Sequence, residues 1–245
     1  MKSKIQRTIQ NNPHVHVYSS LWEICNSAVQ QFLRKAYDNH CSVVVPGGNT
    51  PRQFFQILSS ADIDWHKITL VLSDERMVSV NNSASNYGMI YKYLLEKLPA
   101  NNRPKIIPQM EKFNHGNYEE ILQNTNLLMG EIPNLNQAFL GLGADGHIAS
   151  LFPGRRFNSL KYDFYHYTKK QVESFQRMTL SIDFLRQIPE VTFLVSGKTK
   201  HFALKSLINS QSVNQKSPVL QLIENYPGNV NILCDKSSYS GKGYA

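Results

Sequence analysis

Short apolar runs that break into glycine or polar turns, each followed by a helical pattern, recur along this chain of 245 residues. Parallel strands need long crossover connections and every helix must bury a face, so this alternation selects an α/β fold. The expected class is Rossmann-like, a mostly parallel central sheet flanked by helices. Strands are predicted at residues 14–18, 42–46, 68–73, 137–141, 178–182, 191–196 and 230–234. Ser20-Leu21-Trp22-Glu23 reads as a capping box opening a helix to about residue 38. Thr50-Pro51 opens a second, with Thr50 as N-cap and Pro51 at the first helical position. Further helices are predicted at 85–97, 117–130, 199–209 and 217–225.

No linker, repeat or low-complexity run divides the chain, so residues 1–245 are expected to form one domain. A chain of that size buries roughly 70–75% of the surface it exposes when unfolded, and needs no disulfide or metal for stability. Cys25, Cys41 and Cys234 are far apart and lack metal-ligand spacing, which predicts reduced core thiols and no metal site. Met1-Lys2-Ser3-Lys4-Ile5-Gln6-Arg7 leads into polar residues rather than an apolar core, which predicts a cytoplasmic protein without signal peptide or membrane partner. Lysine and arginine number 26 against 18 aspartates and glutamates, a balance of +8 that favours anionic partners. The cations are scattered, so a small phosphorylated molecule fits at least as well as nucleic acid, for which no motif speaks.

The chemistry-bearing segments stand at predicted strand ends. Val45-Pro46-Gly47-Gly48-Asn49-Thr50 reads as strand, glycine turn and helix start, a geometry that aims backbone N–H groups at a phosphate or carboxylate. An ordinary βα turn is the alternative. Asp74-Glu75-Arg76 closes another apolar strand, where three charges must either pair or face a polar site. Gly197-Lys198-Thr199-Lys200 puts lysines in a first helical turn, against the macrodipole, which a bound anion would offset. The longest segment is Gly141-Leu142-Gly143-Ala144-Asp145-Gly146-His147, where Asp145 is placed to tune His147 as a general base at neutral pH.

These segments, together with Ser85-Asn86-Tyr87-Gly88 and the run on to Ser150-Leu151-Phe152-Pro153-Gly154, resemble the 6-phosphogluconolactonases in order and spacing from about residue 40 to 205. The resemblance implies the fold shared with glucosamine-6-phosphate deaminases and ribose-5-phosphate isomerases. It also implies hydrolysis of 6-phospho-D-glucono-1,5-lactone to 6-phospho-D-gluconate in the oxidative pentose phosphate pathway, without metal or organic cofactor, by a monomer or small homo-oligomer. Carried over by position, His147 is the base that activates water and Asp145 orients it or contacts sugar hydroxyls. Arg76, Lys200 and Arg177 hold the phosphate with the Gly47 and Gly48 amides, and Asn49, Thr50, Asp74 and Asn86 complete the binding set. Val80 and Ile148 depart from the family's usual Pro and Thr.

The rival readings are a glucosamine-6-phosphate deaminase or isomerase and a sugar-phosphate-binding protein without turnover. The deaminases add a glutamate shortly after the histidine to assist ring opening, whereas Ser150-Leu151-Phe152-Pro153 carries no acid, and they place an aromatic where Arg76 stands. An intact Asp145 and His147 weigh against the binding-only reading. No Gly-x-Ser-x-Gly elbow points to a serine nucleophile.

Overall fold

A computed structural model describes residues 13–37, 40–110, 118–132, 135–154, 164–168, 175–209 and 217–241. The strands are β1 His14–Tyr18, β2 Cys41–Val45, β3 Ile68–Leu72, β4 Asp74–Arg76, β5 Lys105–Ile107, β6 Leu135–Gly141, β7 Tyr165–Thr168, β8 Arg177–Leu180, β9 Glu190–Val195 and β10 Asn229–Asp235. The α-helices are α1 Leu21–Ala36, α2 Thr50–Leu58, α3 Asn86–Tyr93, α4 Tyr118–Gly130, α5 Ile182–Leu185, α6 His201–Asn209, α7 Pro218–Ile223 and α8 Lys236–Ser240. Met1–Arg7, Glu173, Ser174 and the predicted helix ends at 38 and 117 lie outside the described residues.

Seven strands form one sheet in the order β1-β10-β9-β6-β2-β3-β5, with every neighbouring pair parallel. All five residues of β2 are buried, as expected of a central strand covered on both faces. From β2 the chain moves through β3 and β5 to one edge, and from β6 through β9 and β10 towards the other. The order therefore reverses between β2 and β6, where the connections leaving the carboxyl ends diverge and open a crevice. Phe54 of α2 packs on Phe32 of α1 and on Phe139 of β6, with ring centroids 6.3 and 5.3 Å apart, so the helix bordering that crevice is anchored in the core. Cys25, Cys41 and Cys234 are buried free thiols, and burial pushes Cys25 up to about 12 and Cys234 to about 11.

The strand predicted at 178–182 is β8, and it belongs to a second, antiparallel sheet, β4-β8-β7. It ends at Leu180 because the Ser181 hydroxyl accepts from the Phe184 amide and starts α5. Ser73 joins the two sheets: its amide donates to the Val45 carbonyl at 2.9 Å and its own carbonyl accepts from Leu180 at 2.9 Å.

Two helix starts also differ from expectation. The Ser20 hydroxyl accepts from the Glu23 amide at 3.3 Å, but Glu23 Oε2 reaches past the cap to the Ser19 amide at 2.7 Å. Thr50 is the first residue of α2 and Asn49 takes the cap position in a helical conformation, with no side-chain capping bond. The pattern at 85–97 divides into α3 and a 3₁₀ turn, Leu95–Lys97, and another such turn, Lys198–Lys200, precedes α6. Among the described residues no helix is long and apolar enough to cross a membrane.

Candidate active site

Four adjacent strands, β9, β6, β2 and β3, deliver their C-terminal segments to one cavity of about 170 Å³. Gly47, Gly48, Asn49 and Thr50 enter it from β2, and Asp74 and Arg76 from the end of β3. His147 enters from the turn after β6, and Ser196 and Lys200 from the segment after β9. Residues separated by more than 150 positions thus meet because the strands are parallel and their ends share one edge.

The β6 turn is built to hold one side-chain pair. The Gly143 amide donates to the His147 carbonyl at 2.8 Å and the Gly146 amide to the Gly143 carbonyl at 3.0 Å, which folds Asp145 back onto the ring. Asp145 Oδ1 then lies 2.5 Å from His147 Nδ1 and accepts from the His147 amide at 3.2 Å. Glycine at 143 leaves room for this pair: a Cβ there would stand 2.1 Å from His147 Nδ1. Partial burial raises the Asp145 carboxyl, but the charge and hydrogen bonds of His147 outweigh it and hold it below the usual range. A carboxylate on Nδ1 fixes the tautomer and leaves Nε2 as the basic nitrogen. Ala149, on the cavity wall, has φ +49, a left-handed backbone that a non-glycine residue holds only where its surroundings impose it.

The cationic side of the cavity combines two side chains with a helix start. Arg76 is half-buried; its Nη1 donates to the Ala84 carbonyl at 2.8 Å and its Nε lies 3.6 Å from Asp74 Oδ2 without a hydrogen bond. Lys200 is pushed below the usual lysine range by burial, an effect opposed by the charge of Asp145. The amides of Gly48 and Asn49 make no hydrogen bond among the described residues, and they stand before the N-terminus of α2. Free N–H groups and the positive helix end suit an anion. Among the described residues no group of three or more His, Cys, Asp or Glu side chains is arranged to hold a metal ion.

Three candidate residues sit apart from the cavity wall. Asp145 contacts the site through His147. Asn86 is buried behind the loop after β2, its Nδ2 donating to the Asp74 carbonyl at 2.7 Å, and a Cβ on Gly47 would come within 2.0 Å of it. Arg177, expected at the phosphate, is 5% exposed; its Nη1 donates to Ser150 Oγ at 3.1 Å and lies 3.7 Å from Asp74 Oδ2. It is therefore placed to offset Asp74 from behind.

The sequence reading passed over several residues. The buried Ser150 hydroxyl donates to Asp74 Oδ2 at 2.5 Å and fixes that carboxylate's direction. Glu75 of β4 is fully buried against the start of α3, accepting from the Arg76, Asn86 and Tyr87 amides at 2.6, 2.8 and 2.6 Å. Burial pushes its carboxyl up to about 7 against those bonds. Asp235 accepts from the Ser196 hydroxyl at 2.6 Å and the Gly197 amide at 3.0 Å while capping α8, so it ties down the turn that carries Lys200. A strand ending in Asp235 before Lys236-Ser237-Ser238 carries a cap signal; Ser150 carries none.

Comparison with known proteins follows the same lines. The family model of glucosamine-6-phosphate isomerases/6-phosphogluconolactonase matches residues 16–230. The chain belongs to that family. A 6-phosphogluconolactonase of Helicobacter pylori strain J99 is 30% identical over 197 residues, which cover 78% of this chain and 85% of the relative. The crystal structure of 6-phosphogluconolactonase from Leishmania guyanensis superposes with a TM-score of 0.77 at 22% identity, covering 96% of this chain and 100% of that one. A monomeric glucosamine-6-phosphate deaminase superposes with 0.78 at 18% identity, covering 94% and 100%. Proteins named for either activity thus share the fold.

Proposed function

We propose that the chain is a 6-phosphogluconolactonase that hydrolyses 6-phospho-D-glucono-1,5-lactone to 6-phospho-D-gluconate, with His147 as general base. The observation that carries the reading is the Asp145–His147 pair, 2.5 Å apart, facing a cavity whose other wall holds Arg76, Lys200 and the Gly48 and Asn49 amides. A relative named 6-phosphogluconolactonase at 30% identity supports it. The absence of an acid from Ser150-Leu151-Phe152-Pro153 supports it over the deaminase.

In this mechanism Arg76, Lys200 and the free amides hold the phosphate and so place the lactone carbonyl near His147. Nε2 takes a proton from water as its oxygen bonds to the carbonyl carbon, and Asp145 stabilises the imidazolium. Collapse of the tetrahedral intermediate breaks the bond to the ring oxygen, which takes the proton back from Nε2. Asp74, directed by Ser150 and offset by Arg177, accepts hydrogen bonds from sugar hydroxyls.

The test is 6-phosphogluconate formation from freshly generated lactone, with spontaneous hydrolysis subtracted. The wild type is expected to accelerate it, and His147→Ala to lose about 10²-fold or more in kcat. A wild type no faster than the spontaneous reaction overturns the proposal; ammonia release from glucosamine-6-phosphate would then transfer the site to the deaminase branch.

A further inference from the structure

A second, larger concavity of about 1130 Å³ lies beside α3, walled by the 3₁₀ turn at Leu95–Lys97, the start of β5 and Arg52 of α2. Its charged lining is Arg52, Lys92, Arg103 and Lys105 against Glu96. Among the described residues no carboxylate pairs with any of the four cations. Three of them lie over tyrosine rings that line the same groove: Arg103 Cζ is 5.8 Å from the Tyr91 centroid, and Arg52 Cζ and Lys92 Nζ are 5.9 and 5.8 Å from that of Tyr93. Arg103 is further held by its Nε, which donates to the Leu98 carbonyl at 3.4 Å, and Tyr91 is 43% exposed.

The groove adjoins the catalytic cavity through shared neighbours. A connecting pocket shares Gly48, Asn49 and Arg76 with the catalytic side and Arg52, Ser83 and Met89 with the groove. Unpaired cations call for an anion, whereas exposed tyrosine and a planar guanidinium form a stacking platform for a flat ring. A phosphate alone uses only the first feature and a neutral ring only the second. We propose that this groove is a second ligand site, for a mononucleotide, with the base stacked at Tyr91 and Arg103 and the phosphate held by Arg52, Lys92 and Lys105. The site stands on its own residues and does not depend on which sugar phosphate the catalytic cavity turns over.

Isothermal titration of the full chain with adenosine 5′-monophosphate tests it, using wild type, Tyr91→Ala, Arg103→Gln and His147→Ala. Binding of one equivalent at sub-millimolar to millimolar concentration is expected. Affinity should fall about tenfold in Tyr91→Ala and in Arg103→Gln and stay within about twofold in His147→Ala. Adenosine and inorganic phosphate should each bind at least about tenfold more weakly than the nucleotide. The proposal is overturned by absence of wild-type binding, by binding indifferent to Tyr91 and Arg103, by loss of nucleotide binding in His147→Ala, or by phosphate binding as tightly as the nucleotide. Affinity that climbs with the length of a single-stranded oligonucleotide would overturn it in favour of a nucleic-acid groove.

Discussion

Replacing Gly143 with alanine adds one methyl group and strikes the Asp145–His147 pair alone. The new Cβ would lie 2.1 Å from His147 Nδ1, 2.4 Å from Cε1 and 2.6 Å from Asp145 Oδ1. Ordinary contact begins near 3.4 Å, so the ring must retreat by about 1.3 Å, and the 2.5 Å bond between Nδ1 and Oδ1 breaks as it does. A displacement of about 1 Å at a reacting group costs on the order of 10²-fold in rate, or about 2.7 kcal/mol of transition-state stabilisation. The backbone at Gly143 is not left-handed, so alanine is compatible with the fold, and the pair it displaces is partly exposed. Steady-state lactonase kinetics should show kcat down about 100-fold with KM within about threefold, while the thermal midpoint stays within a few degrees of wild type. A folded Gly143→Ala protein with kcat within about threefold of wild type would refute the claim that this pair's geometry drives turnover.

Arg76→Ala should act on binding instead: KM for the phosphorylated lactone rises about tenfold or more and kcat falls less, because in the proposed mechanism Arg76 holds the phosphate and not the carbonyl. A change confined to kcat would remove Arg76 from the phosphate site. Asp235→Ala removes four hydrogen bonds, one of them the α8 cap, and should lower stability by about 2–3 kcal/mol in urea melts at pH 7. Burial raises the Asp235 carboxyl, but its hydrogen bonds win and depress it below the ordinary 3.8. Its contribution is therefore fully present above pH 3.8 and lost as pH falls through the depressed folded value, so the gap between wild type and variant should close in acid. A gap independent of pH would contradict the charge-based account.

The seven-stranded sheet was largely legible because its strands are continuous apolar runs. Val43-Val44-Val45 and Ile68-Thr69-Leu70-Val71-Leu72 can hardly be anything but buried strands between turn signals. Apart from β8, the second sheet was not legible, nor was the edge strand β5 of the first: β4 reads Asp-Glu-Arg, β7 Tyr-His-Tyr-Thr and β5 Lys-Ile-Ile, too short or too polar to carry a period. Their pairing is decided by what lies alongside, as the Ser73–Leu180 bond shows for β4 and β8.

The site divides in the same way. Glycines 47, 48 and 143, Asp145 and His147 announce a site in the sequence because local geometry demands those residue types wherever the rest of the chain goes. Whether a cation faces the ligand or a neighbouring carboxylate depends on distances across strands, and no local pattern encodes them. Arg76 and Lys200 reach the cavity, whereas Arg177, equally basic and equally placed at a strand end, is buried against Ser150 and close to Asp74. The sequence by itself determined the main apolar strands, the glycine turns and the Asp145–His147 pairing, all read from patterns within a few residues. Only the tertiary structure decided which charges are free, because sheet order and register bring Asp74, Ser150 and Arg177 together, and a buried carboxylate must take its partners from whatever the fold sets beside it.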